Sequence, residues 1–209
     1  MSEKKQFDYP TLLLVEHGET EFSGDDDKSE RIHGIKFDLP LTLEGHRQAS
    51  SVADMLKDHD IATLKTSPMQ RAKETAEHVG DAIGMEPEED DDLKPLDAGY
   101  LSGMTHEAAH SRIEYYVKNP HKPIPEGQAY GDWWDTASER MAKRLKETER
   151  TPGQAHVDVL HSSEIASMPQ IIRGDPPSVW SEKQIPGPGK ISAVEKHGNR
   201  WQFNPNWEG

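Results

Sequence analysis

Residues Leu12-Leu13-Leu14-Val15-Glu16-His17-Gly18-Glu19-Thr20 decide how this chain is read. Four apolar residues run together without alternation, the pattern of a short strand covered on both faces. A histidine and a glycine then close the run and hand over to polar sequence. A titratable ring at the mouth of a buried strand, next to a residue that permits close backbone approach, marks a reactive loop. Strand one is predicted over residues 11–16, after an N-terminal tail over residues 1–10 that ends at Pro10.

Working outward, residues 18–40 are polar and irregular and contain Asp25-Asp26-Asp27. That run lacks the alternating pattern of a calcium loop and reads as a solvated turn. Thr42 opens a helix whose Ala49, Val52, Ala53 and Leu56 share one face. A short strand follows from Ile61 to Thr66. Ser67-Pro68 starts a second helix, proline being suited to the first helical position, and Gly84 stops it. Residues 86–92 form a second acidic loop. Helices are predicted from His106 to Val117, from Asp132 to Glu149, and in part from Glu164 to Ile172. A strand lies over Val157 to Leu160, and a terminal hairpin joins Ile191–Glu195 to Trp201–Phe203 through Gly198-Asn199. Trp133 and Trp134 read as one buried and one exposed helix residue, as do Tyr115 and Tyr116. Strands alternating with helices predict one three-layer α/β domain over residues 11–209.

The chain has 209 residues, enough for one domain with a real core. Hydrophobic residues make up only 33%, so that core is lean. The net charge of -14 argues against nucleic acid or an anionic membrane as partner, since both need a positive footprint. It also means that an anionic substrate needs a local cationic pocket. The chain has no cysteine, which excludes disulfides, thiolate metal sites and a thiol nucleophile. The polar N-terminus and the lack of a long apolar run predict a cytoplasmic protein without signal peptide or membrane span.

Several strings resemble, in order, the motifs of the histidine phosphatase superfamily, also called phosphoglycerate mutase-like. They are His17-Gly18-Glu19-Thr20; Arg31-Ile32-His33-Gly34 with Leu39-Pro40-Leu41-Thr42 and Gly45; and Thr66-Ser67-Pro68-Met69-Gln70-Arg71-Ala72 with Thr75-Ala76. Leu93 to Gly99 with Gly103, Pro125-Glu126-Gly127-Gln128 and Val159-Leu160-His161-Ser162 complete the order. The resemblance implies a mostly parallel mixed sheet flanked by helices. It implies a phosphatase that hydrolyses a small phosphomonoester, with His17 as the nucleophile that becomes phosphohistidine. Arg71 and His161 would hold the phosphoryl oxygens, with Ser23 and Arg31 as further phosphate contacts. Such transfer needs a ring nitrogen, cations around the phosphoryl oxygens and an acid for the leaving oxygen. No metal or organic cofactor is implied, and the protein is expected to be a monomer or homodimer.

The chain departs from the resemblance at two informative places. Glu16 stands where the family carries its first arginine, replacing a planar donor fork with a carboxylate. Glu16 can turn away, be compensated by Arg31 or Arg173, or pair with Arg71. Pro95 stands where many members carry the glutamate acid, and Asp97 is the replacement acid in the same loop. These departures motivate the alternative of a catalytically impaired relative that binds or regulates. A motif of another class also occurs: His106-Glu107-Ala108-Ala109-His110 fits the zinc metalloprotease pattern H-E-x-x-H. Thr105 would cap it at a helix start, and Ile113 and Tyr116 stand where the extended pattern needs glycine and a third histidine. The phosphatase reading therefore requires two imidazoles and one guanidinium, far apart in sequence, to converge on one tetrahedral anion.

Overall fold

A computed structural model describes residues 3–23, 30–178 and 187–209. The Asp25-Asp26-Asp27 run lies outside the described residues. Six strands form one sheet in the order β3-β2-β4-β1-β5-β6. They are β1 Thr11–Glu16, β2 Ile61–Thr66, β3 Glu88–Glu89, β4 Ala155–Leu160, β5 Ile191–His197 and β6 Arg200–Asn204. β1, β2, β3 and β4 pair in parallel, whereas β5 and β6 add antiparallel. The expected mixed, mostly parallel sheet is therefore present. Every residue of β1 and β4 is buried, as central strands covered on both faces must be.

Helices α1 (Leu43–Leu56) and α2 (Gln70–Ile83) cover one face. Their Val52, Leu56, Ala72, Ala76 and Val79 pack on Leu13, Val15, Leu64, Val157 and Val159. Helices α4 (Tyr130–Thr148) and α5 (Ser162–Ile171) cover the other through Met141, Leu145, Ile165 and Met168 against Leu12, Leu14 and Val194. Helix α3 (His106–Lys118) builds a third cluster with Ala98, Leu101, Ile124 and the start of α4. Across the α4–sheet interface Arg144 forks onto Asp158 of β4, with Nε donating to Oδ2 at 3.0 Å.

Four expectations need correction. Helix α2 starts at Gln70 rather than Pro68, because Met69 is still extended and Asp38 accepts the Gln70 N–H at 2.6 Å. The acidic run contains β3, a two-residue edge strand tied to β2 by Lys65, whose Nζ lies 2.9 Å from Asp90. Its charges suit an edge that must not recruit another strand. Trp133 and Trp134 are both buried, since the third cluster wraps two sides of α4. The N-terminal segment is not a loose tail: Lys5 bridges to His59, Phe7 N donates to the Gly153 carbonyl at 2.9 Å, and the Phe7 ring stacks 6.0 Å from Trp207.

Candidate active site

β1, β4 and β2 lie side by side and end at one level. Their next residues, His17, His161 and Ser67, therefore share the crevice beyond the carboxyl ends of a parallel sheet, where α/β folds place ligands. Register brings Glu16 opposite Leu160, so the two following imidazoles meet with ring centroids 5.3 Å apart. The turn after His17 presses on the start of α1. A Cβ on Gly18 would lie 2.5 Å from the Gly45 carbonyl oxygen, and one on Gly45 would lie 2.2 Å from that of Glu19. The Thr42 hydroxyl caps α1 by accepting from Gly45 N at 3.0 Å and donates to the Glu19 carboxylate.

Arg71 enters from the first turn of α2, 1% exposed. Its Nε donates to His17 Nε2 at 3.1 Å, and one Nη approaches His161 Nδ1 at 3.2 Å. The remaining N–H groups reach the carbonyls of Gly34 and Phe37. Gly34 has a positive φ of 56°, which a side chain would strain. Among the described residues the carboxylate oxygen nearest the Arg71 guanidinium, on Asp38, is 3.9 Å away, outside hydrogen-bond range. Burial lowers the guanidinium to about 10, against opposing pulls from Asp38 and Glu164.

Hydrogen bonding sets the tautomers. His17 Nδ1 lies 2.9 Å from the Gly18 carbonyl, which can only accept, so Nδ1 carries the proton. Nε2 is then a bare lone pair facing Arg71. His161 is the reverse: Nδ1 faces a donor, and Nε2 donates to Ser67 Oγ at 2.9 Å. Burial first, then Arg71, holds both rings well below the usual imidazole range, so both are neutral at pH 7. The two imidazoles and the guanidinium do converge.

The pocket in front of them is lined on one side by His33, Arg31 and Gly34 and on another by Ser162 and Ser163 at the N-terminus of α5. Pro95, Leu96, Leu101, Ile113 and Ile124 give it an apolar wall. Ser23 and Arg31 both line it, but with other duties. Ser23 Oγ accepts from Thr20 N at 3.1 Å, and Arg31 donates one N–H to the Gly103 carbonyl at 2.7 Å. Asp97 is not among the lining residues. Its carboxylate accepts the Gly99 N–H at 3.1 Å, so the local backbone uses the acid expected for the reaction. Arg173 pairs with Asp175 and is likewise not a lining residue.

Sequence reasoning missed His33, His106 and Glu30. His33 Nε2 bonds Thr20 Oγ1 at 2.6 Å, and burial pushes its ring down to about 3. It sits in a quoted motif, and its place just before the left-handed Gly34 was the available signal. His106 lines the pocket with its Nε2 4.0 Å from Glu30, whereas Glu107 and His110 of the same H-E-x-x-H string are exposed. Among the described residues no three histidine, aspartate or glutamate side chains gather to hold a metal ion.

Residues 12–206 match the Histidine phosphatase superfamily (branch 1). The chain belongs to that superfamily. It is 28% identical over 192 residues to the uncharacterized phosphatase PhoE of Bacillus subtilis, covering 92% of this chain and 91% of that protein. It is 31% identical over 180 residues to a probable phosphoglycerate mutase, GpmB of Cronobacter sakazakii, covering 83% and 79%. Mycobacterial glucosyl-3-phosphoglycerate phosphatase shares the fold at a TM-score of 0.74 and 22% identity, over 95% of this chain and 98% of that one. The phosphoserine phosphatase of Entamoeba histolytica does so at 0.72 and 24%, over 93% and 96%. Within this histidine phosphatase fold Glu16 is buried at 3% exposure and lines the pocket, so it does not turn away. No ion pair joins it to Arg71 among the described residues.

Proposed function

We propose that the protein hydrolyses small phosphomonoesters through a phosphohistidine on His17. The observation that carries this reading is Arg71, a buried cation whose N–H groups end on two imidazole lone pairs and two carbonyls rather than on a carboxylate. A phosphate dianion is the better acceptor for those donors. As it takes them, His17 Nε2 is released and faces phosphorus with its proton on the far nitrogen. His161, moved from beside a bare cation to beside a dianion, gains basicity and can take a proton on Nδ1 to donate to a phosphoryl oxygen. Ser67 keeps the ring in place through Nε2. The amides at the start of α5 add fixed positive potential. The phosphoryl group transfers in line to Nε2, and water then releases it.

The test is brief incubation with labelled para-nitrophenyl phosphate and alkaline gel analysis, since phosphohistidine is acid-labile. Label on wild type and none on His17→Ala is expected. No label together with no phosphate release at millimolar substrate would retire the reading. Glu16 alone favours a second reading, in which the pocket binds an anion without turning it over. In that case wild type is silent and Glu16→Arg gains hydrolysis.

A further inference from the structure

The reaction just proposed leaves one task unassigned: an alkoxide leaving group must receive a proton, and the acid loop does not supply it. Pro95 and Leu96 face the pocket with no proton to give, and Asp97 is bound to its own loop. Among the described residues two carboxyl groups line the cavity, Glu16 and Glu30. Glu30 sits at the rim beside His106, its side chain one-third exposed. Glu16 is the residue next to the nucleophile, is fully enclosed, and its Oε2 has no hydrogen-bond partner among the described residues. A buried oxygen without a partner is costly and calls for a reason.

Resting on the phosphohistidine reading, we infer that Glu16 is the catalytic acid, delivering its proton to the leaving oxygen and retrieving one from the water that follows. The protonation state agrees. Burial, then the Glu30 carboxylate, pushes Glu16 up to about 8, while the Gly187 N–H pulls weakly the other way. Glu30 and Pro188 line the same cavity as Glu16. Of the other titratable groups among the described lining residues, His17 and His161 serve the phosphoryl group, His33 is tied to Thr20, His106 faces Glu30, and burial raises Tyr116. Tyr130 is pushed up by burial and then by Glu164, out of the range of a useful acid.

The chemistry balances in two halves. In the first, the Nε2–P bond forms as the P–O bond to the alcohol breaks, and the Glu16 proton moves to the departing oxygen. Products are the alcohol, phosphohistidine and a Glu16 carboxylate. In the second, water attacks phosphorus, its proton passes to Glu16, and the P–Nε2 bond breaks with its electron pair returning to nitrogen. The acid and the free imidazole are both regenerated.

The experiment compares leaving groups. Para-nitrophenol departs without help, whereas an alkanol does not. Glu16→Gln keeps size and neutrality but has no transferable proton. It should lower kcat/KM for an alkyl phosphate by about a hundred- to ten-thousandfold and that for para-nitrophenyl phosphate by less than about tenfold. Because the second half also needs the carboxylate, labelled phosphohistidine should accumulate on this variant, which a merely structural residue would not cause. Glu16→Asp should recover part of the alkyl activity. The wild-type alkyl profile should fall above about pH 8, a limb absent in Glu16→Gln. Equal effects on both substrates, or no effect on either, overturn the acid role while label on His17 leaves the phosphohistidine reading standing. A wild type that takes no label overturns both.

Discussion

Two buried arginines divide the molecule's electrostatics between them. Arg144 is clamped by Asp158 from β4 and Glu147 from its own helix. Burial would lower it, but those two carboxylates outweigh burial and hold it above its ordinary range. Arg71 is as deeply enclosed, but its hydrogen bonds go only to neutral acceptors, its carboxylate contact is the loose 3.9 Å one with Asp38, and burial lowers it to about 10. A depression of that size corresponds to about 3 kcal/mol of incompletely compensated charge at neutral pH. The fold has supplied a hydrogen-bonded anion for one cation and only a more distant one for the other. On the proposed reading an outside anion completes this weakly paired charge, and the two imidazole lone pairs beside Arg71 agree with that.

Breaking the completed pair should have the largest effect. Asp158→Ala leaves Arg144 buried beside Glu147 alone and should cost about 3–5 kcal/mol of stability, read from urea unfolding. The folded fraction should keep its kcat/KM. Arg71→Met should do the converse. On the proposed reading it removes a donor to the phosphoryl group and should lower kcat/KM about a hundred- to a thousandfold, or about 3–4 kcal/mol. Stability should hold or rise, because a weakly paired buried charge is gone. If Arg71→Met unfolds the protein as Asp158→Ala does, the contrast collapses and Arg71 is structural.

The two sites also differ in how legible they were in sequence. Strand β1, the helix capped by Thr42 and the terminal hairpin follow from local apolar runs, a hydroxyl cap and a glycine turn. His17, Arg71 and His161 were accessible because each follows a recognisable strand or helix start in motif order. Arg144 and Asp158 carry no local signal, since a fork across 14 residues depends on how a helix lies over a sheet. The same holds for His106. Its sequence neighbours suggest a zinc helix, but its pocket partner Glu30 lies 76 residues earlier and only tertiary structure joins them. Asp97 failed for a local reason, because the left-handed Gly99 beside it exposes an N–H that the carboxylate satisfies.

If Arg71 awaits an anion, inorganic phosphate should stabilise the protein by linkage. At one hundred times its dissociation constant the gain is about 2.7 kcal/mol, seen as a rise in Tm. Asp158→Ala should show the same increment from a lower baseline, and Arg71→Met should lose most of it. An equal increment in all three proteins would place phosphate elsewhere.

The smallest effect is in pH, where the unfinished site should leave two opposed signatures. His17 and His161 are held well below 6.5 and His33 at about 3, so the unfolded chain takes up protons that the folded one refuses. Stability then falls as pH drops below about 6.5, by up to about 1.4 kcal/mol per pH unit for each ring. Glu16 works the other way. Raised to about 8, it keeps a proton in the folded state that the unfolded chain loses near 4.5, so stability falls as pH rises toward 8. Glu164, raised by burial, adds in the same sense. Below 6.5 three rings outweigh the carboxyls, and above it the carboxyls act alone, so the optimum should lie near 6.5. Glu16→Gln should reduce the decline between pH 6.5 and 8 by about 1–2 kcal/mol, measured as Tm against pH. Arg144 is held above its ordinary range and does not titrate in that window, so Asp158→Ala should lower the whole curve without moving its maximum. A curve whose maximum moves with Asp158 instead of Glu16 would mean that the pH response belongs to the completed pair.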